Sequence, residues 1–127
     1  MISLPDILLV GAGGAVGSIS RYCLDSIKLF HSANHNTIAI NLTGCLLIGI
    51  LWAIFNRFGN TDSHAYRLLV TGLLGGFTTF STFALQPVNM MRQGNIFESV
   101  SYLLISIGGG LTLCWLGIIL TQKIFGD

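Results

Sequence analysis

The chain has 127 residues, 52% of them in the hydrophobic set AVILMFWYC and only 9% charged, against roughly 25% charged in an ordinary soluble domain. Six Lys/Arg and five Asp/Glu cannot cover the surface of a soluble fold, and the apolar content excludes a disordered chain. A net charge of +1 with no basic cluster argues against a nucleic-acid binder, which must neutralise phosphates. The composition places the chain in a membrane.

A bilayer core of about 30 Å asks for roughly 20 mainly apolar residues per helix, and four segments satisfy this. The first runs from Leu4 to Leu24, with Asp6 near its start and Arg21 near its end. Arg21 is the one charge inside a span away from its start, close enough to the end to snorkel. The second, Thr37 to Phe55, is uncharged. The third, Leu68 to Met91, is also uncharged but rich in Ser, Thr and Gly, and the fourth runs from Ser99 to Thr121. The expected fold is an all-α integral membrane protein of one four-span domain.

Orientation follows the Lys/Arg count on the two sides. Arg57, Arg67 and Lys123 fall on one side, and Arg21, Lys28 and Arg92 on the other, three against three. Either another feature sets the orientation, or the chain inserts both ways round. Dual insertion would permit an antiparallel homodimer with its two-fold axis in the membrane plane. Four short helices leave no room for a central aqueous path, so a transport route would run between subunits. The spacings Gly13-xxx-Gly17 and Gly72-xxx-Gly76 suit close helix approach, within one chain or between two.

Polar groups inside hydrocarbon are expensive and therefore informative. Asn41 lies mid-span with Thr37 one turn away on the same face. Its amide either bonds a neighbouring helix or offers N–H donors to an anion. The third span carries Gly75-Gly76 followed by Thr78, Thr79, Ser81 and Thr82. Paired glycines are a poor helix interior, so a break near the middle is expected, with carbonyl oxygens freed as ligands for a hard monovalent cation; a bent helix is the alternative. Phe77, Phe80 and Phe83 recur every three residues, and ring edges are electropositive. They either pack against lipid and core or meet a dehydrated anion edge-on. Tyr102, Ser106 and Gly110 form one stripe on the fourth span, a packing seam or the border of a narrow path.

Absences narrow the choice. No Asp or Glu lies deep in a span, so a proton-coupled exporter lacks its carrier. His31, His35 and His64 fall in connections, and Cys23, Cys45 and Cys114 have no CxxC spacing, so the thiols read as inert. No nucleophile–base–orienter set is visible, and no enzyme is expected.

Taken together, Gly13-Gly14-Ala15-Val16-Gly17 with Arg21-Tyr22, the segment Asn41 to Gly49, and the run Gly72 to Phe83 resemble the small bacterial fluoride channels of the Fluc/CrcB family, over essentially the full length. The resemblance implies a dual-topology homodimer in the bacterial cytoplasmic membrane with two fluoride pores. It implies Phe80 and Phe83 as pore phenylalanines, Asn41 as a pore donor, and Ser81, Thr82, Tyr102 and Ser106 as polar wall with Thr37 beside them. Arg21 would sit at a vestibule, and a central Na+ would be held by the main-chain carbonyls of Gly75 and Thr78. Gln86 stands where members often carry Glu, and Gly110 where they can carry Ser. The implied activity is passive, selective fluoride export. A proton-coupled small multidrug-type exporter and a non-transporting assembly subunit are the alternatives.

Overall fold

The computed structural model describes residues 2–27, 30 and 32–126; Lys28, His31 and Asp127 lie outside them. Among the described residues every regular element is helical. Helix α1 covers Leu4–Ile27 and α2 covers Ala33–Arg57. The third span, His64–Arg92, is composite: α3 (His64–Tyr66), a π-helical segment (Arg67–Leu74), α4 (Gly75–Phe77) and α5 (Phe80–Arg92). Helix α6 covers Ile96–Phe125. At 1.5 Å per residue, even the 24 residues of α1 reach about 36 Å, more than the hydrocarbon thickness. All four spans are long and apolar enough to cross a membrane, and the chain is a multi-pass membrane protein. Outward residues such as Leu104 and Trp115 of α6 are exposed in the single chain, as a helix face turned to hydrocarbon rather than water can be.

Helices α2 and α3 start where a side chain can satisfy orphan amides. Ser32 Oγ accepts from the Asn34 N–H at 3.3 Å, and Ser63 Oγ accepts from the Tyr66 N–H at 3.2 Å. At the same end of the molecule as Ser63, Arg67 Nη1 and His64 Nδ1 reach Asp6 Oδ1 at 3.2 and 3.1 Å. Asp6 also accepts from Ser3 Oγ at 2.6 Å. The acidic residue near the start of the first span is thereby tied to the third.

Two packings organise the bundle. The π-helical segment and α4 lie on α1, whereas α2 and α5 lie on α6. The first depends on glycine. A β-carbon at Gly13 would press on the Leu68 carbonyl and lie 2.9 Å from the Leu73 nitrogen. Leu68 and Leu73 are five residues apart, one turn of a π-helix, so Gly13 sits against that wide turn. One turn on, Gly17 meets the Leu73 carbonyl and the Phe77 nitrogen, and Gly72 meets Val10 and Gly13 in return. Both small-residue spacings seen in the sequence thus serve contacts within the chain. The α2–α6 contact is parallel and repeats the device, since a β-carbon at Gly117 would lie 2.7 Å from the Leu46 carbonyl.

The third span changes neighbours part-way along. Thr78 and Thr79 carry extended dihedrals, φ −82° and ψ 158° followed by φ −143° and ψ 117°, and the span as a whole bends by 18°. Beyond them α5 contains Pro87, which has no N–H to give. Its carbonyl accepts from Ser99 Oγ of α6 at 3.0 Å, and Ser99 is fully buried. That bond fastens the second half of the span to α6.

Gly17→Ala should destabilise the fold by about 1–3 kcal/mol through overpacking, because its new methyl meets backbone rather than a movable side chain. Gly11→Ala, with nothing within 4 Å of the added carbon, should leave stability unchanged or raise it by up to about 1 kcal/mol, alanine being the better helix former. Thermal unfolding of the two variants in detergent, side by side, measures the difference.

Candidate functional site

Inside hydrocarbon, a backbone group without an internal partner has no water to turn to. The extended residues Thr78 and Thr79 create that problem, and Asn41 of α2 answers it. Asn41 Oδ1 accepts from the Thr79 N–H at 2.9 Å, and Asn41 Nδ2 donates to the Thr79 carbonyl at 3.1 Å. The side-chain amide pairs with Thr79 on both edges, as a second peptide would. One Nδ2 proton remains unspent, since a primary amide carries two. Gly44, one turn further along α2, leaves the notch filled by the Thr78 methyl.

Thr79 also opens α5. Its Oγ1 accepts from the Thr82 N–H at 3.2 Å and lies 3.1 Å from Thr82 Oγ1 and 3.4 Å from Ser81 Oγ. Two donors are diverted by this arrangement. In a continuous helix the Thr79 N–H would serve the Gly75 carbonyl, and the Thr82 N–H would serve that of Thr78. Here they serve Asn41 and Thr79 Oγ1.

A cavity of about 500 Å³ opens beside the interruption. Its walls include Asn41, Gly75, Thr78, Thr79, Phe80, Phe83 and Ser106, with Cys45, Gly110 and Cys114 further along, and no charged side chain lines it. Phe80 is 80% exposed in the single chain. Phe83 is half-buried, its ring centroid 5.5 Å from that of Phe80 and 5.9 Å from that of Tyr102, on which it stacks. Phe77, the first of the three-residue series, belongs elsewhere, in a pocket with Leu24, Ile40 and Thr43. The extended pair at Thr78 and Thr79 separates it from the face that Phe80 and Phe83 share.

Hydroxyls in the spans divide into two groups. Ser20, Ser26, Thr43, Thr112 and Thr121 each donate to the carbonyl four residues back, the usual way to quiet a hydroxyl in a helix. Tyr102 and Ser106, on facing turns of α6 beside Phe83, do not. Both hydroxyls are buried and, among the described residues, neither has a hydrogen-bond partner. Gln86, one turn beyond Phe83, donates from Nε2 to Thr37 Oγ1 at 2.9 Å, while its Oε1 is also buried without one. Unpaired buried polar atoms are uncommon and point to an absent water or ion. Three of them flank one aromatic pair.

The sequence-derived residues therefore separate. Asn41, Phe80, Phe83, Ser106, Gly75 and Thr78 meet at the cavity, with Tyr102 behind Phe83 and Thr37 under Gln86. Ser81 and Thr82 turn to the Thr79 hydroxyl and are not among the cavity's lining residues. Arg21 Nε donates to the Gly76 carbonyl at 3.4 Å, joined there by Ser18 Oγ, so it grips the backbone just ahead of the interruption. Thr79 and Gly44 were missed by sequence reasoning, although a Thr immediately ahead of a helical run is a candidate N-cap. Cys114 was missed too, although it continues the Tyr102–Ser106–Gly110 stripe by one more turn.

Residues 8–118 match the family model described as "CrcB-like protein, Camphor Resistance (CrcB)". The chain belongs to the CrcB-like family. A protein of Desulfotalea psychrophila named fluoride-specific ion channel FluC is 42% identical over 120 residues, 92% of either chain. Proteins of the same name from Methylobacillus flagellatus and Pseudomonas putida are 39% and 38% identical, covering 88% and 96% of this chain and 91% and 99% of their own. The membership makes this chain a transporter type of protein rather than an enzyme.

Asn41→Ala should orphan the Thr79 N–H, at about 1–3 kcal/mol, and remove the second donor from the Thr79 carbonyl, which keeps its first intrahelical bond as N-cap. Asn41→Asp retains an acceptor for the Thr79 N–H but loses the donor to its carbonyl and adds a charge. Both variants should unfold earlier than the parent in a detergent denaturation series, whereas Thr43→Ala, an exposed self-bonded hydroxyl, should not.

Proposed function

We propose that this chain is a passive, selective fluoride channel. The observation that carries the reading is the uncharged cavity beside two unpartnered buried hydroxyls, Tyr102 and Ser106, and the Phe80–Phe83 pair. Tyr102 and Ser106 hold hydroxyl donors that a helix would normally quiet, Asn41 has a spare N–H, and ring edges complete a weakly positive lining. The N–H groups of Phe80 and Ser81, in the first turn of α5, have no helical acceptor and add the positive end of a helix dipole. Such neutral donors can replace water around a small anion and still let it leave, which a fixed positive charge would hinder.

The working unit is an antiparallel homodimer with two pores in the bacterial inner membrane. Balanced Lys/Arg counts favour dual insertion, and the cavity, with Phe80 exposed at its edge, needs a covering surface. A second, inverted copy supplies one with matched chemistry. Sodium belongs at the dimer centre. Carbonyl oxygens suit hard cations, the Gly75 and Thr78 carbonyls have lost their ordinary donors, and Gly75 has open space around it. Two carbonyls per chain complete a shell only when a second chain brings two more. A bound ion would supply positive charge that holds the two interrupted spans together.

Export needs no coupling. Hydrogen fluoride enters as the neutral acid, dissociates inside, and the interior-negative potential drives the anion out by about 2.3 kcal/mol per 100 mV. That supports about a fifty-fold gradient, at about 1.4 kcal/mol per factor of ten. A proton-coupled exporter would need a carboxylate at mid-depth; no carboxylate lines the cavity, and Asp6 is held at the end of α1 by Arg67.

The test is efflux from liposomes loaded with potassium fluoride, started with valinomycin and followed by a fluoride electrode. Rapid fluoride release with negligible chloride release is expected; no fluoride release, or equal chloride release, overturns the reading. Phe83→Ile should slow efflux at least tenfold while leaving the dimer intact by size-exclusion chromatography, because the aliphatic chain fills the same space without an electropositive edge.

A further inference from the structure

The geometry points to a two-thiol site, formed by Cys45 of α2 and Cys114 of α6, that binds one divalent thiophilic metal ion of the mercuric class and thereby closes the cavity. Both thiols are half-buried, free, and line the same cavity as Asn41 and Phe83. Their relation is set by the parallel α2–α6 contact. A β-carbon at Gly110 would lie 3.2 Å from Cys45 Sγ, and Cys114 is the next residue on that face of α6, one turn further along. Gly49, one turn beyond Cys45 on α2, lies against the Cys114 backbone. The two sulfurs thus stand on facing helices, and because both Cβ atoms tilt the same way in parallel helices the offset stays at about one turn of 5.4 Å.

That spacing suits a bridging ion. Thiolate bonds of about 2.3 Å, the zinc value, place two sulfurs about 4.6 Å apart across a linear centre. Coordination must stop at two, because no His, Met, Asp or Glu lines the cavity. Thiolates select soft metals, and the surroundings select the charge. A divalent ion displaces two protons, breaking two S–H bonds and forming two metal–sulfur bonds, and leaves a neutral product. A monovalent ion bound the same way leaves a net negative centre, which an apolar cavity disfavours. The bound ion fills space beside Asn41 and Ser106, so anion passage stops.

Blockage as the consequence rests on the fluoride route proposed above; binding does not. Full-length protein carrying Cys23→Ala, which removes the exposed thiol of α1, is treated with mercuric chloride and then with excess small monothiol. Intact-mass measurement should find one mercury per chain, with two protons lost, resistant to the monothiol. Adding Cys45→Ser or Cys114→Ser should make the ion removable by the monothiol. In liposomes, mercuric ion should abolish fluoride efflux through the Cys23→Ala protein, and either serine variant should require at least tenfold more. Retention of the ion by a single-thiol variant, two independent ions per chain, or bound mercury with undiminished efflux would overturn the proposal. A protein inactive before mercury is added overturns the channel reading instead, while the mass measurement still judges the thiol pair.

Discussion

A pair of peptide groups that leave the helix inside hydrocarbon must be satisfied by protein, because the medium offers nothing. Thr78 and Thr79 are that pair, and much of the chain is arranged around them. Asn41 matches both hydrogen-bonding edges of Thr79. Gly44 makes room for Thr78, and Thr79 turns its own hydroxyl to cap α5. On the approach, Arg21 and Ser18 converge on the Gly76 carbonyl. The glycines of α1 hold the preceding segment so close that no side chain fits between. Once these contacts hold the interruption, the third span can pack its first half on α1 and its second half on α6. A continuous helix would have to choose one neighbour.

The same interruption determines the electrostatics of the cavity. Starting α5 inside the membrane places unpaired N–H groups and the positive end of a helix where no charged side chain lies. Roughly half a unit charge, spread over a helix terminus, attracts an anion without holding it as an arginine would. Arg21 is kept out of this role by its bond to Gly76 and its half-buried place against the backbone. The positive influence in the cavity is therefore dipolar, which is what the proposed anion route requires for exit as well as entry.

Much of this was legible in the residues. Four apolar segments of the right length define the spans, since hydrocarbon thickness leaves little choice. Asn41 and the Gly-Gly-Phe-Thr-Thr run stand out because polar atoms at that depth need a reason. What one dimension hides is pairing. Nothing in the spacing tells that Asn41 meets Thr79 rather than an ion, or that Arg21 meets Gly76, because both contacts join residues more than thirty positions apart. Helical periodicity placed Phe77 with Phe80 and Phe83, and two extended residues between them send it to another pocket. The resemblance implies Ser81 and Thr82 as wall; in the single chain both hydroxyls lie against Thr79 Oγ1, a contact no spacing announces. The glycine spacings were open between intrachain and interchain use, and only the π-helical turn against Gly13 decides it.

One asymmetry remains to be accounted for within the bundle. Most hydroxyls on the spans are quieted by their own helix, and Thr37, although it bonds the Ala33 carbonyl, also accepts from Gln86. Tyr102, Ser106 and Gln86 Oε1 are left open on one side, where Phe83 also lies. Folding of the single chain gains nothing from that concentration; a helix could have turned Ser106 onto the carbonyl of Tyr102 as it turns Thr112 onto that of Gly108. Leaving two hydroxyl donors and one amide acceptor unsatisfied costs stability unless something outside the single chain meets them. The hydrocarbon cannot, since it holds neither donors nor acceptors at that depth. On the reading proposed above, the Tyr102 and Ser106 hydroxyls meet a small anion stripped of water in a cavity without a charge, while Gln86 Oε1, an acceptor, answers to a donor instead.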